Sequence, residues 1–236
     1  MTQPNGLHHL AVMTKDIKAQ IEFFTQVLGL PLVALYDMHG VDGAWHGFVR
    51  LNDTSHIAFC QIPGVESVPS TIGLTHAGLG SGISAPGTMQ HIAFDVASED
   101  DLLAMRDRLR TNGVVVFGPI DHGFCKSLYF AGPEQLTLEV AYSAQPISAD
   151  SWIDPAVVAS SGISPEELDR YRSPAAFERP SEPVPQPAID PSRPHMPYPP
   201  EQYAVMVSVP DDVITAAASH PEPPVKTSAP SPEKSS

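Results

Sequence analysis

Leu7-His8-His9-Leu10-Ala11-Val12-Met13 and Met89-Gln90-His91-Ile92-Ala93-Phe94-Asp95-Val96 carry one pattern twice, with His9-Leu-Ala-Val and His91-Ile-Ala-Phe 82 residues apart. Both alternate as strands do, so successive side chains point to opposite faces. His9, Ala11 and Met13 share one face of the first strand; His91, Ala93 and Asp95 share one face of the second. Leu10 and Val12, or Ile92, Phe94 and Val96, lie opposite and suit packing under a helix. A helix signal follows each strand. Asp16 can cap a helix with the apolar stripe Ile17, Ile21, Phe24 and Leu28 and a stop at Gly29. Ser98, with Asp101 three residues on, resembles a capping box for a helix carrying Leu102, Met105 and Leu109, ended by Asn112-Gly113.

Three short strands are expected after each helix: Pro31–Tyr36, Ala44–Leu51 and His56–Ile62, then Val114–Phe117, Ser127–Phe130 and Leu136–Tyr142. A second internal match, His46-Gly-Phe-Val-Arg with His122-Gly-Phe-Cys-Lys at an offset of 76, reads as part of the same duplication. A βαβββ unit cannot bury its apolar face alone, so the two copies must pack together. The expected class is α+β: two paired βαβββ modules, about 7–62 and 89–142, forming one domain over residues 1–145 with a cup-shaped mixed sheet. The glycine-rich stretch 63–88 joins them and reads as a lid or binding loop, or as disorder. Its Gly78-Leu-Gly80-Ser-Gly82 has no strand-to-helix context and is not a dinucleotide fingerprint.

Of the 26 prolines, 7 fall in residues 1–145 and 19 in the last 91. Residues 146–236 are therefore expected to hold short helices near 155–160 and 165–172 and then a proline-rich, largely irregular tail. Tyr203–Val209 reads as a further strand. The net charge of −14 leaves no basic patch, which argues against nucleic acid and anionic membrane surfaces as partners. There is no long apolar run and no export signal at the start, and Cys60 and Cys125 lie in apolar runs as buried free thiols would. A cytoplasmic location is expected.

Chemistry concentrates on three strand positions. In Leu136–Tyr142, Thr137, Glu139 and Ala141 share a face away from the apolar Leu138 and Val140. A carboxylate in the middle of an apolar strand is costly unless paired or bound to a cation. A lone strand histidine is usually a satisfied core residue, but two at duplicated positions with an inward glutamate favour a metal. His9, His91 and Glu139 then form a facial triad that leaves coordination positions open.

These residues resemble the vicinal-oxygen-chelate superfamily, which includes glyoxalase I, fosfomycin-resistance transferases, bleomycin-binding proteins, methylmalonyl-CoA epimerase and extradiol ring-cleaving dioxygenases. The resemblance spans residues 7–142 and implies a divalent metal held in a cup by His9, His91 and Glu139. Matching the last strands of the two modules sets Ala58 opposite Glu139, where four-ligand members carry Glu or Gln. The stretch Ile120-Asp121-His122, Leu128-Tyr129, Gly132-Pro133 and Glu139 resembles the extradiol dioxygenase signature, departing from it at Gly132 and Gln135. That resemblance implies Fe(II), with Mn, Ni or Zn as alternatives, and a small aromatic substrate cleaved with O2. His122 and His56 are the candidate proton acceptors and Tyr129 the hydrogen-bond donor to substrate. The alternatives are a metal-dependent lyase, isomerase or thiol transferase, and a non-catalytic binding protein. A homo-oligomer is expected, in which His9 can belong to a different chain from Glu139.

Overall fold

The computed structural model describes residues 3–224, which fall into two compact units: Pro4–Ser173, preceding a second one made mainly of residues from Pro174 onward. The first unit carries both duplicated modules. In the first, β1 (His9–Met13), α1 (Ile17–Glu22, prolonged by a wider turn over Phe23–Val27), β2 (Leu32–Asp37), β3 (Trp45–Asn52) and β4 (Ser55–Gln61) follow in order. In the second, β5 (Ile92–Asp95), α2 (Glu99–Thr111), β6 (Phe117–Asp121), β7 (Lys126–Ala131) and β8 (Thr137–Tyr142) repeat that order. Each module makes a four-stranded mixed sheet, β1-β4-β3-β2 and β5-β8-β7-β6, in which only the first pairing of each order is parallel. This is the paired βαβββ architecture.

Local chemistry explains the elements. The Asp16 carboxylate accepts from Ala19 N at the start of α1, and Ser98 Oγ accepts from Asp101 N at the start of α2. Aspartates and a glutamate open α2 and arginines close it, as its dipole favours. One apolar cluster serves both modules, with Phe24 of α1's wider turn packed 5.0 Å from Phe59 of β4 and 6.2 Å from Phe94 of β5, ring centre to ring centre. Each fully buried side chain of this size contributes about 1.5–3 kcal/mol, so neither helix-bearing face is stable without the other.

Two polar ties cross between the modules. Arg108 of α2 donates to the carbonyls of Val27 and Gln26 at the end of α1's turn, 2.6 and 3.0 Å away. Glu134, in the turn between β7 and β8, accepts from Thr14 Oγ1, Lys15 N and Gln20 Nε2 at 2.5, 2.9 and 2.9 Å, and both Thr14 and Gln20 are buried.

Three expectations are corrected. The strand expected at Val114–Phe117 runs over Phe117–Asp121 instead, because Val114 N is taken by the Leu109 carbonyl closing α2 and pairing with β7 begins at Phe117. The offset-76 match of His46 with His122 is not a structural equivalence: His46 is inside β3, while His122 lies in the turn after β6. Phe48 pairs with Ala58, and Tyr129 pairs with Glu139, so the true counterpart of Phe48 is Tyr129.

The third correction is in the second unit, where Tyr203–Val209 is not a strand; Pro200–Ser208 is a helix, α6, with Pro200 and Glu201 favouring its first turn. After β8 the first unit adds α3 (Ala149–Trp152), α4 (Pro155–Ser160) and α5 (Pro165–Arg172), the last opened by a reciprocal Ser164–Glu167 capping box. The second unit holds α6 and α7 (Asp211–Ala218). The end of the proline-rich tail lies outside the described residues. Among the described residues no helix is long and apolar enough to cross a membrane.

Candidate functional site

The second sheet gathers the site. Ala93 of β5, Glu139 of β8, Tyr129 of β7 and Phe117 of β6 lie side by side across it. His91 stands just before β5, on the Glu139 side. Its Nε2 is 2.8 Å from Glu139 Oε2, and the Glu139 residue is 5 % exposed. Beside this pair, Tyr129 Oη and His122 Nε2 are 3.0 Å apart, sharing one hydrogen bond. Burial first, and then the adjacent Glu139 carboxylate, pushes the Tyr129 phenol above its ordinary pKa, so it keeps its proton and remains a donor.

The backbone around His122 explains its placement. Gly123 N donates to Asp121 Oδ1 at 2.8 Å and His122 N to the Cys125 carbonyl at 2.8 Å, a tight turn that aims the imidazole at Tyr129. Gly123 has φ +85, and a Cβ there would meet the Trp152 ring at 2.8 Å. The α3 indole thus braces the turn, with Phe124 edge-on to it at 5.0 Å.

A cavity of about 580 Å³ opens over Tyr129 and His122. Val115, Phe117, Ile120 and Leu79 make it largely apolar, His122, Tyr129 and Thr137 give it polar points, and no lysine or arginine lines it. Thr137 is 6 % exposed and its hydroxyl has no hydrogen-bond partner among the described residues. A buried hydroxyl left unpaired at the edge of a cavity is available to a ligand or a water. The glycine-rich loop supplies one wall: Gly80 comes so near Tyr129 that a Cβ would stand 3.0 Å from its ring.

His9 and His56 lie elsewhere. They are neighbours in the β1–β4 pairing, in a cluster with His8, Phe48 and His46 on the first sheet. His46 is held below the usual histidine pKa by burial first and by His9 second. His9, Ala11 and Met13 are exposed, and β1 and β5 are unpaired edges of their sheets. Among the described residues no three His, Cys, Asp or Glu side chains form a group able to hold a metal. Trp45 borders a separate groove with Ile17 and Leu35. Cys60 and Cys125 are free thiols. Pattern alone assigns no role to Gln90, Thr137 or Glu134; Gln90 precedes His91 and Thr137 shares a strand face with Glu139, but their contacts are made by the loop, the cavity and the first module.

The donor set can be tested for a cation on its own chemistry. Two electron-pair donors, an imidazole nitrogen and a buried carboxylate oxygen, face each other at 2.8 Å, and this arrangement needs a shared proton or a cation between them. The pair fits a divalent metal that takes its remaining donors from outside this sheet.

A duplicated βαβββ scaffold with its polar side chains on the sheet face away from the helices defines a class of small-molecule-binding folds. The chain belongs to the Glyoxalase/Bleomycin resistance protein/Dioxygenase superfamily, whose sequence profile matches residues 6–140. No curated protein matches the chain in sequence. Among solved structures it is similar to a glyoxylase/bleomycin resistance protein/dioxygenase domain from a Frankia species, at 16% identity over 60% of this chain and 99% of that one, TM-score 0.48. It is also similar to an antibiotic-binding protein from a Streptomyces species, at 17% identity over 61% and 99%, TM-score 0.43. A third is a fosfomycin resistance protein from Listeria monocytogenes, in complex with Mn(II) and a dihydroxypropylphosphonic acid, at 15% identity over 64% and 100%, TM-score 0.43.

Proposed function

We propose that the chain is a metal-dependent enzyme acting on a small aromatic compound at the second sheet, and that the reaction is Fe(II)-dependent, extradiol-type cleavage of a catechol-like ring with O2. The observation that carries this reading is the His91–Glu139 donor pair standing beside Tyr129, whose hydrogen bond to His122 lines a largely apolar cavity. His91 and Glu139 would hold the metal, and His9 of the partner subunit would supply the third donor. Support for a shared site is the exposed His9 face on the unpaired β1 and the equally unpaired β5 beside His91.

The chain's own residues then have separable tasks. The apolar walls take the ring, and the lack of a lysine or arginine at the cavity disfavours phosphate or carboxylate substituents. Tyr129, kept protonated, donates to a substrate oxygen; His122 accepts the phenolic proton through Nε2. When bound, ferrous iron would supply the one-electron chemistry that lets a singlet ring react with triplet dioxygen. In the overall change one ring C–C bond breaks, both oxygen atoms enter the product, and the substrate provides the electrons.

The test is oxygen uptake by the iron-loaded full chain with a panel of catechols. Uptake matching substrate loss supports the reading. Full iron loading with no uptake for any catechol overturns it, and turnover without oxygen uptake points to the lyase, isomerase or transferase chemistries. Mixing His9→Ala with Glu139→Gln chains in equal amounts tests the shared site: about half the dimers are hybrids with one intact site of two, so the mixture regains about a quarter of wild-type activity, whereas a site built within one chain regains none.

A further inference from the structure

Gln90 makes two sets of hydrogen bonds in opposite directions. Its Nε2 lies 3.2, 3.0 and 3.1 Å from the carbonyl oxygens of Leu79, Gly80 and Gly82 in the glycine-rich loop. All three neighbours are acceptors and the nitrogen is the amide's only donor end, its two N–H groups shared among them, so the orientation of the amide is determined by the network. The other end, Oε1, consequently faces His91 Nδ1. An oxygen there accepts, so Nδ1 carries the proton. Nε2, on the far side of the ring, faces Glu139 Oε2 at 2.8 Å and is the nitrogen left to share a proton or a cation with it.

The loop that holds Gln90 has little freedom once seated. A Cβ at Gly82 would stand 2.1 Å from the Ala77 carbonyl oxygen, and Gly80 lies against the Tyr129 ring. The carbonyls that orient Gln90 therefore belong to the same segment that walls the cavity.

We propose that Gln90 is a positioning residue: it selects the His91 tautomer that presents Nε2 to a metal, and it makes that selection depend on the Leu79–Gly82 segment being seated over Tyr129. This rests on the reading of His91 and Glu139 as metal ligands. A substrate that lifts the segment frees the amide and loosens His91, so loop position and metal affinity are linked properties of one site.

The experiment uses the full chain with three readouts: the imidazole 15N shifts of His91 without metal, calorimetric titration with Zn(II) alone, and amide hydrogen exchange over residues 78–82. Wild type shows His91 protonated at Nδ1 and a protected loop; the opposite tautomer overturns the proposal with no variant needed. Gln90→Ala gives mixed tautomers, loss of loop protection and Zn(II) affinity lowered about 10–100-fold. Gln90→Glu still accepts from Nδ1–H but cannot donate to the carbonyls, so it keeps its Zn(II) affinity while the loop loses protection. Unchanged His91 shifts in Gln90→Ala, or a loop that stays as protected in either variant as in wild type, overturn the proposal, as does a Gln90→Glu chain as weak for Zn(II) as Gln90→Ala. A wild-type chain that binds no Zn(II) sinks the ligand reading instead, and the metal-free shifts and loop exchange still decide the role of Gln90.

Discussion

The two modules can be compared position by position, because their registers agree. Ala11 pairs with Ala58 and Ala58 with Phe48 in the first; Ala93 pairs with Glu139 and Glu139 with Tyr129 in the second. His9 and His91 occupy the same place at the head of this row. Where the second sheet has a carboxylate, the first has a methyl group; where the second has a phenol, the first has a phenyl ring. The first sheet then fills the space with imidazoles, His8, His9, His46 and His56 around Phe48. Backbone and helix-facing residues are duplicated, and the opposite face is not. Packing against a shared core constrains one face of each sheet, while the other is free to diverge into a polar site on one side and an aromatic and imidazole surface on the other.

The comparison can be broken most sharply at its largest difference. Glu139→Gln removes the only charged donor of the pair, and divalent-metal affinity in calorimetry should fall by more than about 100-fold, with the fold intact by circular dichroism. Tyr129 and Phe48 give a matched exchange. Tyr129→Phe should lower turnover by about 100-fold or more with little change in melting temperature, since a hydrogen-bonding catalytic group is lost and the ring stays. Phe48→Tyr should leave turnover near wild type; an equal loss there would mean that the first sheet carries the chemistry.

Smaller effects separate the modules by stability. Glu134, in the β7–β8 turn, joins Thr14, Lys15 and Gln20 of the first module, so Glu134→Ala should cost about 1–3 kcal/mol in urea unfolding by leaving buried donors unpaired. The corresponding β3–β4 turn carries exposed Asp53, and Asp53→Ala should stay within about 0.5 kcal/mol of wild type. The smallest effect is in thiol reactivity. Burial pushes the Cys60 thiol of β4 up in pKa, so near pH 8 it holds its proton and a disulfide reagent should label it more slowly than the less buried Cys125.

Much of the scaffold was legible in the residue pattern. Period-two alternation at His9–Met13 and Ile92–Asp95, the caps at Asp16 and Ser98, and the stops at Gly29 and Asn112 are local signals, read from a few neighbouring residues. The alternation also set Glu139 on the face of its strand opposite Leu138 and Val140. Short-range pattern failed where a long-range partner decides. The strand after α2 begins at Phe117 because β7 pairs there, and the offset-76 match of His46 with His122 joined a strand residue to a turn residue through a chance likeness of letters.

From its sequence alone this chain shows a duplicated α+β unit, its strand faces, and which polar side chains stand on the face away from the apolar layer, because periodicity and capping are properties of neighbouring residues. Only the tertiary structure shows that Gln90 joins the glycine loop to His91, that Glu134 ties the modules together, and that His9 lies with Phe48 rather than with Glu139. Those contacts form between segments remote in sequence, and the shared core, which sets how the two sheets sit, also sets which polar groups meet.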